Sequence, residues 1–278
     1  MTENTTLLSL NVWHGKCFPD LMDYIEDCAA NTDIFCFQEM LSTISGQHRL
    51  DNIWRLNLFS ELSEVLPNFI GLFAPARDWY GITSYGEEYH FSVGLATFIR
   101  ASMRVTHSGD IFVFRNRIHY DTGYDGSKNK SAPRNLQYVI TRDHEGTQTL
   151  IANFHGIWNG KGKTDTPERI AQSRAIVRFL NQARTNSDGI MTRKILCGDF
   201  NLMPKTRSIQ MIEETGLTNL ITSFNIQETR GRLSPFYGKP DYQKFADYAF
   251  VSKDVRVRSF VVPDSGISDH LPMIFEFS

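Results

Sequence analysis

Apolar residues recur along this chain in two rhythms. Leu7 to Trp13 alternates between apolar and polar positions, as a half-buried strand does, and after Pro19 the segment DLMDYIEDCAA sets Leu21, Ile25 and Cys28 at helical spacing. The run DIFCFQEM then reads as a buried strand, so the chain opens β-α-β. Further strands are predicted at 69–75, 92–100, 111–115, 135–142, 148–155, 194–200, 246–252, 255–262 and 272–277. Helices are predicted at 55–66, 167–185 and 206–215, the second with Thr166 as N-cap and Pro167 at its first position. Many strands with few helices predict an α/β (α+β) chain in which sheets stack between helices.

Composition narrows this only slightly. A chain of 278 residues, 41% hydrophobic and 22% charged, buries a sizeable core and is read as one domain, 1–278. The net charge of −2 argues against a global positive field that holds DNA or membranes, and leaves room for a local basic patch. Cys17, Cys28, Cys36 and Cys197 show no C-x-x-C spacing and are expected to be reduced thiols. With no basic leader and no stretch near the ~18 apolar residues of a membrane helix, a cytoplasmic protein without stable membrane insertion is expected.

Two polar connections, 115–135 and 225–244, interleave aromatics with cations that include Lys128, Lys130, Arg230 and Lys239. Long loops on a strand-rich scaffold are commonly functional or simply solvated.

The chemistry gathers where strands end. LLSLN reaches Asn11, DIFCFQE reaches Glu39, LIANFH reaches Asn153 and His155, and ILCGDFN reaches Asp199 and Asn201. FADYAF carries Asp247, and SDHLPM sets Asp269 and His270 before the last strand. A single Asn or Asp at a strand end is more often a turn former or cap. Glu39 is harder to set aside, because a carboxylate after IFCFQ is expensive to bury without a cation or donor. Asp199 and Asn201 are expected on one face of a strand that continues through 201. A carboxylate beside His270 would orient its imidazole for acid–base work. A donor set of oxygen and imidazole suits Mg²⁺ or Mn²⁺ and hydrolysis of a phosphate ester; the spacing disfavours zinc.

In this order, LSLNVW, CFQEM, ANFHG, CGDFN, FADYAFVS and SDHLPM resemble the motifs of the endonuclease/exonuclease/phosphatase superfamily, the DNase I-like metal-dependent phosphoesterases, from residue 7 to 277. The resemblance implies a four-layered α/β sandwich, two mostly antiparallel sheets face to face with helices outside. It implies Glu39 as principal metal ligand with Asn11 and Asp269, Asp199 as the residue that handles water, and Asn201 as its phosphate-positioning neighbour. His270 resembles the histidine set against the scissile phosphate, Asp247 its orienting carboxylate, and His155, with Asn153 before it, a second histidine. Arg134 is placed where relatives carry a phosphate-facing arginine. The N-x-H of ANFHG and the form of KFADY tilt away from abasic-site repair enzymes.

The activity expected is metal-dependent hydrolysis of a phosphodiester, nuclease-type, with nucleic acid among the candidate partners. A phosphatase and a lipid-headgroup phosphodiesterase are the alternatives, the latter needing an exposed apolar patch such as Trp79 and Tyr80 would form. GIWNGKGKT suggests nucleotide binding, but Gly156 and Gly162 enclose five residues where a P-loop has four. Lys161 and Lys163 are still expected near substrate phosphate. A catalytically inactive phosphate-binding module is the reading from another class; it would not need Glu39, Asp199 and His270 intact.

Overall fold

The computed structural model describes residues 4–43, 49–50, 54–82, 86, 88–120, 132–160, 162–183 and 193–278. Lys128, Lys130 and Lys161 lie outside the described residues. In chain order the elements are β1 (Thr5–Asn11), α1 (Asp20–Ala29), β2 (Ile34–Thr43), β3 (Arg49–Leu50), β4 (Trp54–Arg55), α2 (Leu58–Val65), β5 (Phe69–Ile82), β6 (Glu88–Arg100), β7 (Arg104–Phe114) and β8 (Ile118–Tyr120). There follow β9 (Arg134–Arg142), β10 (Gln148–His155), α3 (Pro167–Gln182), β11 (Arg193–Asp199), α4 (Arg207–Glu213), β12 (Thr218–Asn219), α5 (Leu220–Ser223), β13 (Asp247–Val251), β14 (Val257–Val261) and β15 (Met273–Phe277).

Alternation along the strands sorts side chains onto two faces. In β1 and β2, Leu8, Leu10, Phe35 and Phe37 face outward and pack under Leu21 and Ile25 of α1 and Leu58 and Leu62 of α2. Leu7, Ile34 and Cys36 face inward and join Ile151 and Cys197 of the second sheet. Each such side chain contributes about 1.5–3 kcal/mol of transfer free energy when fully buried. The sheets run β14-β15-β1-β2-β6-β5-β8 and β12-β13-β11-β10-β9-β7. Their pairs are parallel at β1–β2, β5–β8 and β10–β11 and otherwise antiparallel.

α3 starts where the sequence places it, with Thr166 Oγ1 accepting from Arg169 N–H. Its buried Arg169 donates to the carbonyls of Ile157, Gly162 and Thr164, which fastens the loop carrying Lys163. Asp165 accepts from the N–H groups of Arg207 and Ser208 and so caps α4.

Three expectations change. The β5–β6 hairpin continues past the predicted strands, because a register shift between Pro75 and Arg77 resumes the pairing that the polar Arg77–Asp78 pair masks in sequence. The 115–135 connection contains β8, which extends the sheet beside β5. Trp79 is fully buried and stacked on Tyr120, so it offers nothing to a lipid surface. Among the described residues no helix is long and apolar enough to cross a membrane, and Cys36 and Cys197 are buried free thiols.

Candidate active site

Register in the second sheet brings three polar residues level. His155 ends β10 opposite Asp199 at the end of β11, and Asp199 in turn faces Asp247 at the start of β13. Residues paired across a sheet project to one face, so these side chains form a row turned toward the other sheet. His155 Nε2 stands 3.5 Å from Asp199 Oδ2. Gly198 sits within this row's backbone at φ +134°, where a Cβ would lie 2.0 Å from the Phe154 carbonyl oxygen.

Asn11 and Glu39 face that row from the first sheet. Asn11 closes β1, donates Nδ2–H to Asp199 Oδ2 at 3.0 Å, and accepts from Trp13 N–H. Glu39 occupies a bulge: pairing with β6 shifts between Phe37 and Met40, and Glu39 takes φ +56°. A bulge re-aims a side chain, and a non-glycine residue held there costs roughly 1–3 kcal/mol. Glu39 Oε2 meets His14 Nδ1 at 2.8 Å, and Oε1 stands 3.9 Å from His155 Nε2. His14, itself at φ 55°, is stacked on Trp54.

The segment before β15 closes the site. His270 Nδ1 lies 2.9 Å from both carboxylate oxygens of Asp247. Ser268 Oγ donates to the Asn11 carbonyl and accepts from His270 N–H, tying the histidine to β1. Thr229 Oγ1 accepts from the N–H groups of Ala246 and Asp247, while residues 229–231 run beside 269–271 through Gly231 N–H to Asp269 O and Leu271 N–H to Thr229 O. This brings Arg230 Nη1 to 2.6 Å from His270 Nε2 and Nη2 to 2.6 Å from Asp269 Oδ2.

The expected residues converge, with corrections of detail. Asn201 does not continue the strand, which ends at Asp199; Asn201 takes φ +53° instead. Its N–H donates to Asp199 Oδ1 at 2.8 Å, and its Nδ2 lies 3.3 Å from Asp199 Oδ2 and 3.4 Å from His155 Nε2. Phe200 between them packs against Phe154, Tyr248 and Phe250. Asn153 does not reach the site. It lies two residues deeper than His155, donates to the carbonyls of Phe37 and Ala96, and accepts from Gln38 Nε2, so it clips the sheets together rather than facing substrate. Arg134 is buried, with Nε donating to the Gly156 carbonyl, and Lys163 Nζ donates to the Phe245 carbonyl. Asp269 faces Arg230 through Oδ2, leaving Oδ1 buried without a hydrogen-bond partner. Sequence reasoning missed His14, three residues past Asn11 in NVWHG, and treated Arg230 as one cation among several in a loop.

Burial sets the charge states. It raises the Asp199 carboxyl, with Asp247 adding to the rise against the pull of His270, Lys163 and Arg230. Burial alone would raise Glu39 too, but His14 holds it well below the carboxylate range. Burial pushes Asp247 up to about 7 and, with Arg230 alongside, brings His270 down to about 4. His270 is thus neutral, its Nδ1–H given to Asp247 and its Nε2 lone pair facing Arg230. Burial and Arg134 keep His155 neutral. Burial lowers Lys163 to about 8 and, with Arg77, Arg134 to about 9.

A hard divalent cation suits these donors. Glu39 Oε1 stands 3.9 Å from His155 Nε2 with its carboxylate turned into the site, and Asp269 Oδ1 is an orphaned buried oxygen; an orphaned oxygen is costly unless ligated. Asp199, Asp247 and His270 also bring ligand atoms within 4.8 Å of one another.

Comparison with known proteins agrees with the geometry. No curated protein sequence matches the chain. Among solved structures, an endonuclease/exonuclease/phosphatase from Bacteroides vulgatus superposes with a TM-score of 0.65 at 17% identity, covering 100% of this chain and 99% of that one. A mannosyl-6-phosphatase of Bacteroides thetaiotaomicron gives 0.68 at 17% identity over 99% of each chain. The 2′,3′-cyclic phosphatase ANGEL2 gives 0.67 at 13% identity over 99% of this chain and 95% of that one. At these identities the likeness establishes the fold. A sequence profile of the Endonuclease/Exonuclease/phosphatase family matches residues 8–270, and the chain belongs to that family.

Proposed function

We propose that the whole chain is one catalytic domain and a divalent-metal-dependent phosphoesterase that hydrolyses its substrate by attack of water. The observation that carries this is the level row of His155, Asp199 and Asp247, faced by Glu39 and Asn11 and closed by His270. Glu39, with Asn11 and Asp269, would hold Mg²⁺ or Mn²⁺, which when bound stabilises charge on phosphoryl oxygen.

The chain's own groups divide the rest. Asp199 Oδ2, fixed by Asn11 Nδ2 at 3.0 Å, orients the attacking water and takes its proton, a task helped by a raised carboxyl. The water oxygen bonds to phosphorus as the bond to the leaving oxygen breaks. Asn201 Nδ2 and His155 position the phosphate beside Asp199. His270 Nε2 meets a phosphoryl oxygen, whose negative charge favours the protonated ring, while Asp247 fixes the ring through Nδ1. Arg134 adds positive field.

The test is a panel of phosphodiesters and phosphomonoesters, including DNA and RNA, assayed with Mg²⁺ or Mn²⁺ and with an EDTA control. Turnover is expected to need the metal and to collapse in Asp199→Ala. Metal-independent turnover, or full activity in that variant, would overturn the reading.

A further inference from the structure

Arg230 has no part in the mechanism above, yet its guanidinium touches the atom on which that mechanism depends. Nη1 lies 2.6 Å from His270 Nε2, and Nη2 reaches Asp269 Oδ2 at 2.6 Å and Ser234 Oγ at 3.3 Å. The backbone delivering it is clamped on both sides: Arg230 N–H donates to the Lys244 carbonyl at 3.0 Å, and Tyr242 Oη donates to the Arg230 carbonyl at 2.6 Å. The side chain is 11% exposed, so a cation is held nearly dry at a fixed place.

Its present partner at Nη1 is a poor one. An imidazole nitrogen does not answer a guanidinium as an anionic oxygen does, and an arginine donates planar, paired N–H groups that match phosphate. A phosphoryl group arriving at His270 Nε2 therefore arrives at Arg230 as well. Lys163, from the loop after β10, is a second half-buried cation on this side: its Nζ donates to the Phe245 carbonyl, next along the chain from the Lys244 carbonyl that takes Arg230 N–H. Asp199, Asn201, His155 and Glu39 form the neighbouring group, with Asp199 Oδ2 3.6 Å from His270 Nε2.

The number of oxygens then matters. A phosphodiester has two non-bridging oxygens sharing one charge; a terminal phosphate has three, sharing nearly two at neutral pH. With one oxygen on the metal side and one at His270, the third position falls to the cations. There a diester would place an uncharged, alkylated oxygen against a buried guanidinium.

We propose that Arg230, backed by Lys163, binds the third non-bridging oxygen of a terminal phosphate, so that the enzyme's substrates are phosphomonoesters. The proposal rests on the phosphoesterase reading and narrows it, where the sequence alone put a phosphodiester first. On binding, Nη1 leaves His270 Nε2 for the phosphate while Nη2 keeps Asp269.

Two esters with one leaving group test this: p-nitrophenyl phosphate and methyl p-nitrophenyl phosphate, with wild type, Arg230→Gln and Arg230→Lys in Mg²⁺. Wild type is expected to prefer the monoester. Arg230→Gln is expected to raise KM for the monoester by about tenfold or more, the scale of a lost charge-assisted hydrogen bond. The same change should cost kcat/KM for the methyl ester much less than for the monoester, and Arg230→Lys should recover part of the monoester loss. Equal loss on both esters, with kcat rather than KM falling, would make Arg230 a mere support for His270 and overturn the proposal; so would a wild-type preference for the diester. A second measurement avoids dependence on turnover: calorimetric binding of inorganic phosphate against dimethyl phosphate by the metal-free protein. If neither ester is hydrolysed, the phosphoesterase reading fails. Phosphate binding that weakens in Arg230→Gln would still support the phosphate site, and unchanged binding would sink it.

Discussion

Among the described residues two histidines are held by an aspartate through Nδ1, His270 by Asp247 at 2.9 Å and His119 by Asp78 at 2.8 Å. Each pair also has an arginine. At Asp78, Arg117 donates Nε and Nη2 to the carboxylate and Ser92 Oγ adds a third bond, so the aspartate is satisfied and the histidine is the outermost group. At Asp247 the arginine instead meets the far nitrogen of the histidine, the one a substrate would touch. The His270 side chain is 4% exposed and the His119 side chain 59%. An Asp–His pair is therefore not diagnostic by itself. Its meaning lies in burial and in where the third group sits: on the aspartate it completes a clamp between strands, and on the histidine it stands at the nitrogen that the proposed mechanism uses.

The largest effect should come from the buried pair. His270→Gln is expected to lower kcat toward the upper end of the about 10²–10⁴-fold loss typical of a removed acid–base group, in steady-state assays with saturating Mg²⁺. Asp247→Asn leaves the imidazole in place but can present an amide N–H to Nδ1, favouring the wrong tautomer. A loss near the lower end of that range is expected, without a matching drop in Tm. Wild-type kinetics in either variant would erase the distinction between the two pairs.

The comparison also shows how much of this was legible in sequence. Strand order along the chain, the sheets between helices and the converging motifs follow from alternation and from polar residues at strand ends. Depth does not. Asn153 and Asn201 both end apolar runs, yet one lies a step inside the row and is consumed by Gln38 and two carbonyls, while the other reaches Asp199 and His155 only through a positive φ. Alternation tells which face a residue takes but not where the sheet stops. Glu39 was legible as a costly carboxylate; the His14 contact that lowers its charge penalty was not, because it depends on a left-handed turn after β1. Arg230 is forty residues from His270, and no local pattern announces that pairing.

At the exposed pair the effects should be structural and smaller. Asp78 pairs across the sheet with Ser92 on one side and His119 on the other, and its side chain is 1% exposed. Asp78→Asn is expected to cost about 1–3 kcal/mol, read from denaturant unfolding, because Arg117 loses a charged partner and a buried bond is compromised. Burial would raise this carboxyl, but the hydrogen bonds of Arg117 and Ser92 and the charges of Arg117 and His119 outweigh it and hold it below its ordinary value. A depressed carboxyl stabilises the fold above its unfolded pKa of about 3.9 and loses that contribution as pH falls through the folded value. The stability gap between wild type and Asp78→Asn should therefore be full at neutral pH and close in acid below about pH 4. A gap that persisted unchanged well below that would mean that shape, not charge, holds the three strands.

His119→Ala should do least. Removing an exposed ring leaves Asp78 with both Arg117 bonds and the Ser92 hydroxyl, so the change expected is within about 0.5 kcal/mol. Turnover should not change, since among the described residues the ring forms the outer edge of a satisfied carboxylate. The sharp result would be the opposite one, a fall in kcat with unfolding midpoint intact. That would place His119 at the substrate and make an exposed Asp–His pair on β8 as chemical as the buried one, so burial and the arginine's position would no longer separate the two.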